Sequence, residues 1–274
     1  MKNILKYYGL IDDPSSIRAY WWSGEGNKNF GDILTPYFIK KITGKDPLLC
    51  SGNCLRPYYM IVGSILKRAN RNTIIWGSGI IKRNEMVNKP RKILAVRGPI
   101  TRKRLMELGY ECPEIYGDPA LLLPYFYKPK SKKKYELGII PNHKDYELVK
   151  NKLNDKNILL INPLDPIEKV IEDIFSCKRT IASSLHGLIV SHTYKIHSLW
   201  VEFSNNLVGD GSKFLDYLLS VNIKPYSPLK FKDNLPKIED VKKEIDIRTV
   251  GLKIDTSKLI EVCPFKKDFF KTNS

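Results

Sequence analysis

Short β-rich runs that each stop at Gly, Ser or a charged residue, and that alternate with helical runs, most restrict what this chain can become. They occur at residues 19–22, 59–63, 73–77 and 93–97, and again at 137–140, 158–161, 180–182 and 197–202. Between them, apolar residues recur at helical spacing over residues 32–42 despite Pro36, and over 101–108 up to Gly109. Further helices are predicted at 146–153, at 166–175 with Asp165 as N-cap, and at 214–221. Parallel strands need a crossover, which a helix supplies, so this alternation predicts mostly parallel, doubly wound sheets. We expect an α/β fold of two doubly wound, Rossmann-like domains facing a central cleft.

The polar, proline-broken stretch Lys128-Pro129-Lys130-Ser131-Lys132-Lys133-Lys134 marks the boundary. It divides a first domain (1–127) from a second (135–224), and residues 225–274 read as an irregular basic tail that packs back on the first. A length of 274 residues suits this plan. No run of 18 or more uncharged apolar residues occurs, and the first residues lack a secretory signal, so the expected compartment is the cytoplasm. The five cysteines are scattered, with only Cys50 and Cys54 close together, and no disulfide framework, zinc site or other role is assigned to them. The net charge of +17 draws the chain toward anions, whether substrates or an anionic membrane face. Nucleic acid is disfavoured, because no helix-turn-helix pattern or RNA-binding aromatic motif accompanies the lysines. No strand-to-helix turn carries G-x-G-x-x-G, which argues against a dinucleotide cofactor.

Chemistry concentrates where strands end. In open α/β sheets these ends face the ligand crevice, and a helix starting there offers free N–H groups to an anion. Ile181-Ala182-Ser183-Ser184-Leu185-His186-Gly187 is such a switch from strand to helix. Ser183 and Ser184 serve as helix caps or anion donors, and His186 as a structural histidine or a general acid and base. The next strand ends at Glu202, and Gly209-Asp210-Gly211-Ser212-Lys213 follows it, which would aim Glu202 and Lys213 at the same crevice. In the first half, Asn27-Lys28-Asn29-Phe30-Gly31-Asp32 opens a helix, and Gly63-Ser64 and Gly77-Ser78 leave room for close approach to the backbone. Arg97 stands at a strand end and Arg102 in the first helical turn, where it opposes the helix dipole, so each is a candidate anion contact. Arg102 can alternatively pair with Glu107 or Asp118, and Asp118 before Pro119 is either a turn former or a site residue. His192 and His197 read as packing or surface residues.

Taken in order, Asn29-Phe30-Gly31-Asp32, Gly63-Ser64-Ile65, Trp76-Gly77-Ser78-Gly79, Arg97-Gly98-Pro99-Ile100-Thr101-Arg102, Gly117-Asp118-Pro119-Ala120-Leu121-Leu122 and Ser183-Ser184-Leu185-His186-Gly187 resemble the polysaccharide pyruvyl transferase family. The likeness runs from about residue 23 to residue 221. It implies a GT-B-like pair of domains and transfer of pyruvate from phosphoenolpyruvate onto two hydroxyls of a sugar as a cyclic ketal. The acceptor is then a sugar or a lipid-linked oligosaccharide, and neither metal nor cofactor is expected. On this resemblance His186 is the general acid or base, with Glu202 orienting it or taking a hydroxyl proton. Asn29, Asp32, Gly63, Ser64, Gly77, Ser78, Arg97, Arg102, Asp118, Ser183, Ser184 and Lys213 are the implied substrate contacts.

The chain departs from the family pattern in two places. Ser184 stands where relatives often carry Arg before Leu-His, so the missing charge falls to Arg97, Arg102 or Lys213. Asn142 stands after Ile-Pro, where relatives tend to place His, and His143 follows it. The alternatives are a nucleotide-sugar glycosyltransferase on the same plan, with Glu202 on a ribose, and a non-catalytic glycan- or anion-binding relative.

Overall fold

The structure, a computed structural model, describes residues 2–24, 29–206, 208–231, 234–265 and 269–270. Asn27 and Lys28 of the loop motif lie outside the described residues, as do parts of the basic tail.

The chain runs α1 (Lys2–Tyr7), β1 (Ser16–Ala19), α2 (Leu34–Thr43), β2 (Asp46–Leu49), β3 (Tyr58–Met60), β4 (Thr73–Trp76), β5 (Lys92–Ala95) and α3 (Pro99–Glu107). It continues through β6 (Tyr135–Ile140), α4 (Tyr146–Lys152), β7 (Ile158–Leu160), α5 (Ile167–Ser176), β8 (Cys177–Ala182), α6 (Leu185–Thr193) and β9 (Ser198–Glu202). Then come α7 (Ser212–Ser220), β10 (Leu229–Lys230), α8 (Ile238–Arg248) and α9 (Ser257–Glu261). Single 3₁₀ turns occupy Leu66–Arg68, Pro119–Tyr125 and His143–Asp145.

The strands form two five-stranded sheets, ordered β2-β1-β3-β4-β5 and β10-β9-β8-β6-β7, with parallel pairing throughout. Counted from the first strand of each, both orders read 2-1-3-4-5, a Rossmann-like arrangement whose strand order reverses between the first and third strands. Burial on both faces is visible residue by residue, because successive side chains in a strand point to opposite sides. In β4, Ile75 joins one apolar cluster with Met60, Val96 and Leu105, while Trp76 joins another. In the second sheet, Ile139, Ile181 and Leu199 face a third cluster, and their successors Ile140, Ala182 and Trp200 share the cluster of Trp76. That shared cluster also holds Phe38, Ile171 and Leu188, so one apolar core runs between the sheets.

Several boundaries differ from the sequence expectation. The first strand is residues 16–19 rather than 19–22. Tyr20 and Trp22 therefore lie past its C-terminal end, and aromatic content marked the exit of the strand rather than its body. Strand β2 carries Pro47, which a sheet edge tolerates because one side needs no ladder N–H. Helix α5 begins after Pro166, and Asp165 accepts a hydrogen bond from Asn162 Nδ2 at 3.1 Å instead of capping it. The segment read as irregular holds β10, α8 and α9. Val241 and Ile245 of α8 pack on the second sheet. Leu259 of α9 packs in the shared core, and its carbonyl accepts from Trp76 Nε1 at 2.9 Å. Beyond α9, the Phe265 ring lies 4.9 Å from Tyr59, and Phe269 stacks on Phe126 at 5.0 Å. Among the described residues no helix is long and apolar enough to cross a membrane.

Candidate functional site

Where strand order reverses, the crossovers leave in opposite directions and open a crevice at the C-terminal ends of the first and third strands. Both reversal points of this molecule meet at one cavity of about 410 Å³. Its walls include Tyr20 and Trp22 after β1, Gly63 and Ser64 after β3, Asn142 and Lys144 after β6, and Ser183, Ser184 and His186 after β8. Asn29, Asp32, Lys67, Arg68, Glu85 and Lys213 add to the polar lining.

His186 sits in the first turn of α6 and is 8% exposed. Ser184 caps that helix, its Oγ accepting from Gly187 N at 3.4 Å, while Ser183 Oγ accepts from Asn142 N at 2.8 Å. Both hydroxyls thus spend lone pairs on backbone and keep a proton to donate into the cavity. The imidazole lies flush on the backbone of Gly31, where an added Cβ would fall 2.1 Å from Nδ1. Phe30 presents its ring at 77° to the imidazole, with centroids 6.5 Å apart, and Phe30 N donates to Pro163 O at 2.8 Å, tying this loop to the second half. On the other side, Asp118 Oδ2 faces His186 Nε2 at 3.7 Å. Asp118 is fully buried, its Oδ1 caps the turn at Ala120 N (3.0 Å), and among the described residues Oδ2 and Nε2 have no hydrogen-bond partner. Asp118 thus forms the turn expected of it and, in addition, faces the histidine.

The electrostatics come from crowding. Burial pushes Asp32 up to about 6, against the pull of His186 and Lys213. Burial first, and then the charge of Arg97, pushes Lys213 down to about 8, with Asp32 acting in the opposite sense. Lys67, Arg68, Lys144 and Lys213 line the cavity against the carboxylates of Asp32 and Glu85, so its balance is cationic. We expect Asp32→Asn to stabilise the ligand-free protein by about 1–2 kcal/mol at pH 7.5, allowing for partial exposure and the lost attraction to Lys213. The raised carboxyl holds its proton between about 4 and 6 in the folded state only. Stability of the unmodified chain therefore falls as pH rises through that window, and the variant loses this slope. Urea unfolding at pH 7.5 and at pH 3.5 checks it, with the difference vanishing at the lower pH.

Five residues expected at the site, Arg97, Arg102, Glu202, Gly77 and Ser78, lie off this cavity. Arg97 is fully buried and bonded from all three of its nitrogens: Nε donates to Asp216 Oδ2 (3.1 Å), Nη1 to Ser64 Oγ (2.6 Å) and Nη2 to Ile80 O (2.7 Å). It holds α7 to the first sheet and does not line the cavity. Arg102 turns away and donates to Cys112 O at 3.1 Å. Glu202 lies across from Lys230 at 3.8 Å in a different cavity, so the carboxylate beside His186 is Asp118. Gly77 and Ser78 are buried off the cavity. A Cβ on Gly77 would strike Pro119 at 2.2 Å, so this glycine admits a neighbouring turn of its own half, and Ser78 Oγ has no partner among the described residues. His192 is structural: Nε2 bonds Ser198 O, Nδ1 bonds the Tyr217 hydroxyl, and burial pushes it down to about 4.

Of the three cations proposed to replace an Arg at position 184, only Lys213 reaches the cavity. Lys67, Arg68 and Lys144 were missed, although a basic pair three residues past Gly63-Ser64 is a readable signal. Among the described residues no three His, Cys, Asp or Glu side chains converge as a metal-holding group.

A family model described as polysaccharide pyruvyl transferase matches residues 1–205, three quarters of the chain. The chain belongs to this family. The matched stretch takes in every cavity wall of this pyruvyl transferase family member except the segment from Val208 to Lys213. An uncharacterized protein of Acanthamoeba polyphaga mimivirus is 30% identical over 200 residues, covering 69% of this chain and 70% of that protein. No solved structure matches.

Proposed function

We propose that the chain transfers the pyruvyl group of phosphoenolpyruvate onto two hydroxyls of a sugar in a polysaccharide or glycan precursor, as a cyclic ketal, in the cavity that holds His186. The observation that carries this is the convergence of both strand-order reversals on one cationic cavity lined by His186, with the buried Asp118 behind the imidazole. Family membership supports the reaction class. A donor with a carboxylate and a phosphate fits walls carrying Lys67, Arg68, Lys144 and Lys213, with Ser183 and Ser184 as hydroxyl donors.

In this reading, a proton adds to the methylene carbon of the enol phosphate and leaves an oxocarbenium-like centre at C2. One sugar hydroxyl adds there and loses its proton. Phosphate then departs with the C–O electron pair, and the second hydroxyl closes the ring, its proton going to the released phosphate. The sum is phosphoenolpyruvate plus diol giving ketal plus phosphate, and no further cofactor enters. His186 supplies and recovers the proton, with Asp118 stabilising the imidazolium form. Asp32, held up near 6, is a further group in the cavity able to exchange protons. The two halves act as GT-B-like lobes. We place the reaction in the cytoplasm on a free or lipid-linked acceptor, with the basic surface resting against an anionic membrane face.

Ligand-induced stabilisation tests the donor. Phosphoenolpyruvate at a hundred times its Kd should add about 2.7 kcal/mol and raise the melting temperature. UDP-glucose and GDP-mannose should leave it unchanged. The opposite pattern would assign the cavity to a nucleotide sugar.

A further inference from the structure

A second cavity, of about 620 Å³, opens beyond the C-terminal ends of β9 and β10. Its size lies within the roughly 300–1,000 Å³ of small-molecule sites. It is a neighbour of the His186 cavity, because one short segment walls both: Gly209, Asp210 and Gly211 line the second, while Val208 and Lys213 on either side line the first.

Its chemistry differs from that of the first. Glu202 and Asp210 set two carboxylates against the single ammonium of Lys230. The start of α7 is also taken, since Asp210 Oδ1 accepts from Ser212 N and Oδ2 from Arg83 N, both at 3.0 Å. A phosphate would meet repulsion and find those amides occupied. Instead, one of the residues lining the cavity carries an unanswered donor. Trp200 is 3% exposed, its ring stacked on Phe214 at 4.5 Å and its backbone N–H bonded to the Tyr226 hydroxyl, yet its Nε1 has no partner among the described residues. Buried donors are nearly always paired, so such an N–H points to a missing acceptor. An alcohol is a neutral group that can both accept from an indole and donate to a carboxylate.

We propose that this cavity is a subsite for a neutral sugar of the acceptor glycan, adjacent to the sugar that receives pyruvate, with one hydroxyl accepting from Trp200 Nε1 and another donating to Glu202. The assignment to the acceptor rests on the pyruvyl-transfer reading. The presence of a sugar site does not.

Saturation-transfer NMR with methyl glucoside, methyl galactoside, methyl N-acetylglucosaminide, methyl N-acetylmannosaminide, lactose and cellobiose tests it on the full chain. At least one probe should bind, and its Kd should rise about tenfold or more in Glu202→Gln and in Trp200→Phe, which keeps the stack on Phe214. Stabilisation by phosphoenolpyruvate should be unchanged in both variants. No binding by any probe, or equal affinity in the unmodified chain and both variants, would overturn the subsite. If sugar binding behaves as proposed while phosphoenolpyruvate stabilises none of the proteins, the subsite stands and the donor assignment fails.

Discussion

Replacing His186 with Ala is expected to slow phosphate release from phosphoenolpyruvate in the presence of acceptor by about 10²–10⁴-fold, the usual contribution of a positioned acid–base group. The ring lies 3.7 Å from Asp118, packs on the Gly31 backbone and borders the cationic cavity at once. Donor binding should survive, because the charges that hold an anion are on Lys67, Arg68, Lys144 and Lys213. The substitution also leaves the buried Asp118 carboxylate without its imidazole. A paired Asp118→Asn/His186→Ala protein therefore separates lost chemistry from lost stability. If both variants fold, bind phosphoenolpyruvate and fail to release phosphate, the histidine acts on the reacting atoms. Undiminished turnover in His186→Ala would remove it from the mechanism.

Arg97→Ala should destabilise the protein by about 3–5 kcal/mol, the cost of leaving a buried charge without its partner. Asp216 is fully buried and accepts from Arg97 Nε, from Thr101 N at 2.9 Å and from Thr101 Oγ1 at 2.6 Å. The neighbouring backbone is fitted to this pair: a Cβ on Gly79 would lie 2.4 Å from Arg97 Cζ, and one on Gly98 would lie 2.0 Å from Asp216 O. Removing both charges, as Arg97→Met with Asp216→Leu, should recover much of the loss, since an apolar pair avoids the desolvation penalty. Urea unfolding of Arg97→Met, Asp216→Leu and the double variant measures the coupling. A stable Arg97→Ala protein that had lost phosphoenolpyruvate binding would return this arginine to the substrate.

The parallel, twice-repeated architecture was legible because its signals are local. Apolar runs ending at Gly or Ser mark strands, and Leu34, Phe38, Ile39 and Ile42 mark the buried face of α2. The edge strands β2 and β10 were not, since a four-residue strand with an internal proline and a two-residue strand carry little periodicity. The site divides along a similar line. Residues placed by a strand end, such as Ser183, Ser184, His186 and Gly63, and Asp32 just before α2, lie on the cavity wall as their local pattern suggested. Arg97 sits at a strand end too, yet it is claimed by Asp216, 119 residues later in the chain, and no local pattern announces such a partner. Glu202 fails for a related reason. It ends the strand beyond β8 from the reversal point, and that one-strand step carries it into the neighbouring cavity.

The central claim is that the His186 cavity protonates phosphoenolpyruvate and delivers its pyruvyl group to a sugar. The most direct test is incubation of the chain with phosphoenolpyruvate and an oligosaccharide pool in D₂O, followed by phosphate measurement and NMR of the sugar fraction. The account predicts released phosphate and a sugar-bound ketal whose methyl group carries one deuterium, both absent with His186→Ala. Phosphate release that yields only free pyruvate, or a pyruvylated sugar formed equally well by His186→Ala, would contradict it.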